Sequence, residues 1–126
     1  MFTLAFDTTA DCCSIALLED NKVAAELSEE MDFGQAETLL PQIQKMLQEK
    51  NLQFSDIGLL AVCIGPGSFT GVRSSIAAAR AFGLACPSLK VTGVSAFEAY
   101  AHSLDMSELS DYNAVIIETK RADFYF

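Results

Sequence analysis

The pattern of apolar and polar residues predicts three strands at the start of the chain. Apolar runs at residues 3–7, 13–18 and 23–28 have the length and composition of β-strands. The polar residues 19–22 separate the second run from the third and are typical of a turn. We therefore expect the chain to begin with a three-stranded meander.

Residues 35–50 instead carry apolar side chains at helical spacing. On a helical wheel these side chains fall within an arc of about 120°, and they are Ala36, Leu39, Leu40, Ile43, Met46 and Leu47. Pro41 lies inside the pattern and removes one backbone hydrogen bond, so the helix either begins near residue 40 or is kinked. The segment is predicted to be an amphipathic helix.

A long apolar run at residues 57–64 leads into a glycine-rich stretch. The run lacks polar alternation, which predicts a strand covered on both faces, as in parallel sheets. The stretch that follows reads Gly65, Pro66, Gly67, Ser68, Phe69, Thr70, Gly71, Val72 and Arg73. Gly65 and Gly67 allow a sharp backbone turn, and Thr70 is expected to cap the next helix. The predicted order is strand, glycine turn, helix.

The helix after this turn has small or apolar side chains on almost every side. Such a helix is normally covered nearly all round, and a chain of 126 residues has no second layer for its outward face. We therefore expect that face, with part of the preceding helix, to form a protein interface; burial within the chain is the alternative. The expected interface residues are Leu39, Ile43, Met46, Ala77, Ala78, Ala81, Phe82 and Leu84.

The last third of the chain predicts one more strand, a short helix and a hairpin. Residues 90–94 form the strand, and Ser95 with Glu98 makes a capping box that starts the helix. Residues 114–117 and 124–126 are expected to pair as a hairpin.

These elements divide the chain in two. Residues 1–110 are expected to form one lobe, and residues 111–126 a linker and the first hairpin of a truncated second lobe. An exposed hairpin of this kind also allows domain swapping between two copies.

Charge and cysteine content exclude several classes of protein. The chain has 8 basic and 17 acidic residues, a net charge of −9, which opposes unaided binding to nucleic acid. The amino terminus has neither a basic region nor a long apolar run, so we expect a cytoplasmic protein without a membrane span. The 4 cysteines lack Cys-x-x-Cys spacing and are expected to be reduced, without zinc.

Several phosphate-binding interpretations compete for the glycine turn and for the end of the first strand. A Walker A loop is excluded, because no lysine lies between Lys50 and Lys90. A dinucleotide-binding turn, which would bind NAD, stays open although its third glycine comes one residue late. Asp7, Thr8 and Thr9 either approach a phosphate or form a strand-end turn in which Asp7 bonds its own downstream backbone.

The nonapeptide from Gly65 to Arg73 closely resembles the signature of the TsaB (YeaZ) family. The Asp7-Thr8-Thr9 start, the Leu39-Leu40-Pro41 segment and residues 119–125 resemble that family as well. The resemblance implies an α/β fold: an actin-like (ASKHA, ribonuclease H-like) lobe with a mixed five-stranded sheet in the order 3-2-1-4-5 and flanking helices.

The resemblance also implies a function. Members of the family are expected to serve tRNA threonylcarbamoyladenosine modification as a non-catalytic scaffold that dimerises with and activates the paralogue TsaD. The ATPase TsaE is a further partner, a homodimer forms in their absence, and tRNA is met only through the complex. No cofactor is expected, apart from ATP or ADP at a complex interface.

The same resemblance implies that this chain is not the catalyst. TsaD carries a His-x-x-x-His metal pair, and the matching positions here are Ala96 and Tyr100, which cannot form that site. His102 is the only histidine and is expected on an exposed helix face. The alternative is an actin-like nucleotide-binding enzyme, an ATPase that uses Asp7 and the turn at residues 65–71.

Overall fold

Three antiparallel strands open the computed structural model, which describes residues 1–105, 107, 109–119 and 121–126. They are β1 (Phe2–Asp7), β2 (Cys12–Glu19) and β3 (Lys22–Glu30). Asp20 and Asn21 join β2 to β3 with φ angles of 46° and 69°, the left-handed pair of a tight two-residue hairpin. The predicted meander is confirmed.

The rest of the sheet is parallel to β1. Along the chain follow α1 (Gln35–Glu49), a 3₁₀ turn (Phe54–Asp56), β4 (Ile57–Cys63), α2 (Phe69–Ala85), β5 (Lys90–Val94) and α3 (Ala96–His102). The five-stranded sheet has the order β3-β2-β1-β4-β5, with β4 parallel to β1 and β5 parallel to β4. This is the mixed sheet of an actin-like lobe, as predicted.

A separate two-stranded hairpin, β6 (Ile117–Glu118) with β7 (Phe124–Tyr125), follows the sheet. It confirms a hairpin near the end of the chain, although the first strand covers Ile117–Glu118 and not residues 114–117. Lys120, expected in its bend, lies outside the described residues. The division into residues 1–110 and 111–126 stays a prediction. None of the helices in the described part of the chain is long and apolar enough to cross a membrane.

The hydrophobic core lies on the face of the sheet that carries α1 and α2. Leu4 and Leu60 of the sheet are fully buried there together with Leu39 of α1. Alternate residues of β2, namely Cys13, Ile15 and Leu17, point into the same core. The alternate apolar residues of β2 and the apolar arc of α1 therefore face each other in the core.

Helix α1 confirms the amphipathic helix predicted at residues 35–50. It begins at Gln35 and runs through Pro41, so it does not start near residue 40. Its residues Leu39, Ile43 and Met46 are only 1%, 3% and 7% exposed, because the apolar arc packs on the chain's own sheet. The expectation that these three residues form an external interface is therefore wrong.

The second face of the sheet is open, against the expectation that β4 is covered on both sides. Ala5, Ala16 and Ala61 lie side by side in register on β1, β2 and β4 and are half-buried. They line a concavity of about 700 Å³ bounded by Glu26 of β3 and Ala99 of α3. Strand β4 lacks polar alternation because its side chains on this partly open face of the sheet are small and apolar.

Candidate functional site

The glycine turn between β4 and α2 packs directly on the turn that ends β1. The Ser68 backbone N–H donates to the Thr9 carbonyl at 2.7 Å, and the Thr8 hydroxyl donates to the Gly71 carbonyl at 2.8 Å. A Cβ at Gly67 would overlap the Thr9 carbonyl oxygen, and one at Gly71 would overlap the Thr8 carbonyl oxygen. These two glycines therefore serve the close approach of the two turns.

Gly65 has a different role, because its φ of +89° favours a residue without a Cβ. The prediction that Gly65 permits the sharp turn is confirmed. Gly71 packs against the Thr8 backbone. Ser95, at the end of β5, caps α3 through its hydroxyl and does not supply an acidic ribose ligand.

A buried hydroxyl pair joins β1 to the middle of α2. The Thr8 and Ser75 hydroxyl oxygens are 2.7 Å apart, and the Ser75 hydroxyl also accepts from the Thr8 backbone N–H at 3.3 Å. Since the Thr8 proton is committed to Gly71, Ser75 donates to Thr8. Both side chains are fully buried. In the sequence Ser75 only interrupted an apolar pattern, so its role was missed.

Asp7, Thr8 and Thr9 form the strand-end turn. The Asp7 carboxylate accepts from the Thr9 backbone N–H at 2.7 Å, and the Thr9 hydroxyl contacts the Cys63 thiol at 3.4 Å. The backbone N–H groups of Thr8 and Thr9 and both hydroxyls are therefore already bonded inside the chain. This corrects the phosphate-side expectation for Thr8 and Thr9; Asp7 alone of the three is half-exposed.

The cap of α2 is Ser68 and not Thr70. The Ser68 hydroxyl accepts from the Gly71 backbone N–H at 3.2 Å, and the helix begins at Phe69. Thr70 lies inside the first turn, where its carbonyl accepts from the Ser74 hydroxyl at 2.9 Å. The helix starts earlier than expected because Ser68 is anchored to Thr9 by its own backbone N–H.

A cleft of about 1150 Å³ opens beside the glycine turn. Ser68, Phe69 and Arg73 line one side, Tyr100 of α3 lies next to them, and the β6-β7 hairpin lines the other side. Its charged lining residues are Asp11, Arg73, Glu118, Arg121 and Asp123. The Arg73 guanidinium lies 5.0 Å from the centre of the Phe69 ring, within the range of a cation–π contact.

Tyr100 and Cys63 both have a pKa raised above the ordinary value of the group. Burial raises the pKa of the Tyr100 hydroxyl, and the charge of Asp7 raises it further. Burial likewise raises the pKa of the Cys63 thiol, which outweighs the hydrogen bond from Thr9. A protonated, mostly buried thiol is a poor nucleophile at neutral pH. The described cysteines are free thiols.

The metal pair expected of a TsaD-like catalyst has no counterpart in the geometry. Ala96 is only 3% exposed and contributes no ligand atom, while Tyr100 lines the cleft. His102 is exposed on α3, as predicted. Within the described residues no three histidine, cysteine or acidic side chains come together as metal ligands.

The outer face of α2 consists of Arg73, Ala77, Arg80, Ala81 and Leu84, which are all exposed. Leu84 is 84% exposed and lies near the carboxyl end of this face.

Two further residues of the predicted interface lie elsewhere. Ala78 and Phe82 are half-buried and pack against the core, where Phe82 stacks on Phe54 with ring centres 4.3 Å apart. Leu40 of α1, outside the predicted set, is 52% exposed.

Comparison with known proteins agrees with this fold and these positions. The protein-family model described as "TsaD: tRNA N6-adenosine threonylcarbamoyltransferase" matches residues 33–126. The TsaB protein of Haemophilus influenzae is 32% identical over 98% of this chain, and that of Escherichia coli is 39% identical over 75% of it. The chain belongs to the TsaB (YeaZ) family. Both relatives are described as "tRNA threonylcarbamoyladenosine biosynthesis protein TsaB".

Solved structures of TsaB (YeaZ) proteins have the same fold. YeaZ from Pseudomonas aeruginosa superposes with a TM-score of 0.70 at 32% identity, covering 76% of this chain and 44% of that one. The chain spans about half the length of the curated relatives it matches: 51% of the H. influenzae protein and 40% of the E. coli protein.

Proposed function

We propose that this chain takes part in tRNA threonylcarbamoyladenosine biosynthesis as a non-catalytic scaffold that docks on TsaD and activates it. Support comes from its TsaB relatives, whose names give that pathway, and from the match to the TsaD family model. TsaE is a further proposed partner, and a homodimer forms when neither is present. A net charge of −9 favours contact with tRNA through the complex and not by the chain alone.

The outer face of α2 is the observation that carries this proposal. Ala77 and Ala81 allow another helix to approach closely, and Leu84 offers a large exposed side chain at the end of the same face. Covering a leucine side chain completely contributes about 1.5–3 kcal/mol before the cost of association. A helix with this face is suited to pack against a second protein.

The absence of a catalytic role is supported by the residues at the TsaD metal positions. Ala96, the first residue of α3, is buried and has no ligand atom, and the Tyr100 hydroxyl has a pKa raised by burial, so it is not a ready metal ligand. Ser68, which lines the cleft, and Ser74 both bond to backbone groups of their own helix. Neither has a positioned base, which a nucleophilic serine requires.

Binding to TsaD tests the proposal. We expect the chain to co-elute with TsaD in size-exclusion chromatography and Ala81→Glu to abolish the complex, because a buried unpaired carboxylate is costly. Ala101→Glu, the same change on the exposed surface of α3, is the matched control and should leave the complex intact. If wild-type chain and TsaD elute separately, or if Ala81→Glu binds as well as Ala101→Glu, docking through α2 is refuted.

Nucleotide binding in the cleft is a second candidate function, favoured by the two arginines and by Tyr100 that line it. When the complex of this chain with TsaD is titrated with ATP and Mg²⁺, it should then show one more nucleotide-binding site than TsaD alone. Arg73→Gln should remove that extra site, because a guanidinium binds phosphate through charge and paired donors. Equal stoichiometry for TsaD and for the complex would eliminate this function.

A further inference from the structure

We propose that the open face of the sheet is the docking site of an amphipathic helix with basic residues along one edge, and that this helix comes from the part of the family's length that this chain does not span. The open face lies on the side of the sheet away from α1 and α2. The inference therefore goes beyond the proposed docking through α2.

The floor of the open face consists of small side chains. Ala16, Ala5 and Ala61 lie side by side on β2, β1 and β4. Since neighbouring strands are about 4.8 Å apart, this alanine floor is about 10 Å wide, which matches the diameter of an α-helix. Large apolar side chains of a helix seated there would fill the concavity of about 700 Å³.

The parallel part of the sheet also favours a cover on this side. Strand β4 is parallel to both of its neighbours, β1 and β5, and parallel strands are normally covered on both faces. Helix α3 contributes only Ala99 to the lining of the concavity. In the next row of the same face Thr3, Leu18 and Leu59 are half-buried. The face thus offers apolar surface that a second layer would bury.

Two charged residues at the edges of the face specify the helix further. Glu26 of β3 pairs in register with Ala16, and Lys90 of β5 pairs with Leu59, so both belong to the open face. Both are exposed, and neither forms an ion pair with another described residue. Because opposite charges favour association and set the register of packed elements, the edge of the helix that meets β3 should be basic.

The length of the relatives provides the source of this helix. The chain spans 51% of the H. influenzae TsaB protein, which therefore has about as many residues outside the match as within it. A second copy of the open face is a poor occupant. Two concave alanine floors that face each other leave a gap, since neither contributes the large side chains that close packing requires.

Thiol labelling tests whether the longer relatives cover this face. Ala16→Cys in this chain and a cysteine at the aligned position of the complete H. influenzae protein are treated with N-ethylmaleimide and followed by peptide mass spectrometry. We expect labelling to be at least about tenfold slower in the complete protein, because a covered thiol reacts only when its cover opens. Ser55→Cys, on the exposed 3₁₀ turn, is the matched control and should label at similar rates in both proteins.

Two results of the labelling would overturn the proposal. The first is an equal rate at the Ala16 position in the two proteins. The second is a rate in this chain that falls as its concentration rises, because a second copy would then be the occupant.

A synthetic helical peptide with leucines on one face and lysines along one edge tests the charge of the occupant. Its binding to this chain is measured by fluorescence anisotropy at low salt. We expect Glu26→Gln to weaken binding roughly two- to fivefold. Glu37→Gln, which removes the same charge from α1, should bind the peptide as wild type does. Equal weakening by both variants, or no saturable binding to wild type, would refute the proposed helix.

Discussion

Two glycines decide how closely β1 and α2 pack. The Cβ that any other residue would add at Gly67 or Gly71 falls on a backbone carbonyl, which cannot rotate away as a flexible side chain can. The close approach brings Thr8 within reach of Ser75 and completes the buried hydroxyl pair. Every buried side-chain polar atom in the described part of the chain is hydrogen-bonded, so this packing leaves no unsatisfied polar side-chain atom there.

Replacement of Gly71 by alanine tests that role. We expect Gly71→Ala to lower the free energy of unfolding by about 2 kcal/mol or more, because the new methyl group overlaps the Thr8 carbonyl. The midpoint of urea denaturation measures the change.

Gly83→Ala in the same helix is the control. This variant gains the same helix propensity as Gly71→Ala. Its added Cβ would meet only the Val91 side chain, at 3.3 Å. Its stability should stay within about 1 kcal/mol of wild type. Equal stability of the two variants would contradict the close-approach explanation for Gly71.

At the scale of elements, helix α3 owes its start to a capping box. The Glu98 carboxylate accepts from the Ser95 backbone N–H at 2.9 Å, and the Ser95 hydroxyl accepts from the Glu98 backbone N–H at 3.1 Å. The hydrogen bond from the Ser95 backbone, with a smaller contribution from its hydroxyl, lowers the pKa of Glu98 below its ordinary value of 4.5.

This lowered pKa predicts a pH-dependent contribution to stability. The folded chain holds the Glu98 proton less tightly than the unfolded chain, so the stabilisation is complete above pH 4.5 and is lost as the pH falls through the folded-state pKa. Glu98→Gln should therefore be less stable than wild type at pH 7 and equal to it in strong acid. Urea denaturation at several pH values measures the difference, and a difference that does not change with pH would disprove this assignment.

The two long helices show how position in the fold changes the meaning of an apolar pattern. Helix α1 turns its apolar arc inward, where Leu39 and Ile43 join the core. Helix α2 buries only its narrow inner side, at Gly71, Ser75 and Ala79. Its opposite side stays exposed and carries Leu84 and the two arginines. The docking surface of the proposed complex is thus centred on α2, with Leu40 as the exposed large apolar residue of α1.

At the scale of the whole molecule, one face of the sheet is packed and the other is open. The helices cover the first face, while Ala5, Ala16 and Ala61 line the concavity on the second. The cleft beside the glycine turn lies at the carboxyl ends of β1 and β4, where ligands of open α/β sheets usually bind. The chain matches about half the length of its H. influenzae relative.

The sequence by itself determined the elements, the five-stranded lobe and the family. Apolar periodicity reports which side of a strand or helix avoids water, and the glycine stretch is specific because the two turns it joins pack backbone against backbone. Only the tertiary structure decided which apolar residues stay outside. It placed Leu39, Ile43 and Met46 in the core and left Leu84 on the surface, since burial depends on neighbours distant along the chain. It also joined Thr8 to Ser75, a contact across 67 residues that local patterns do not reveal.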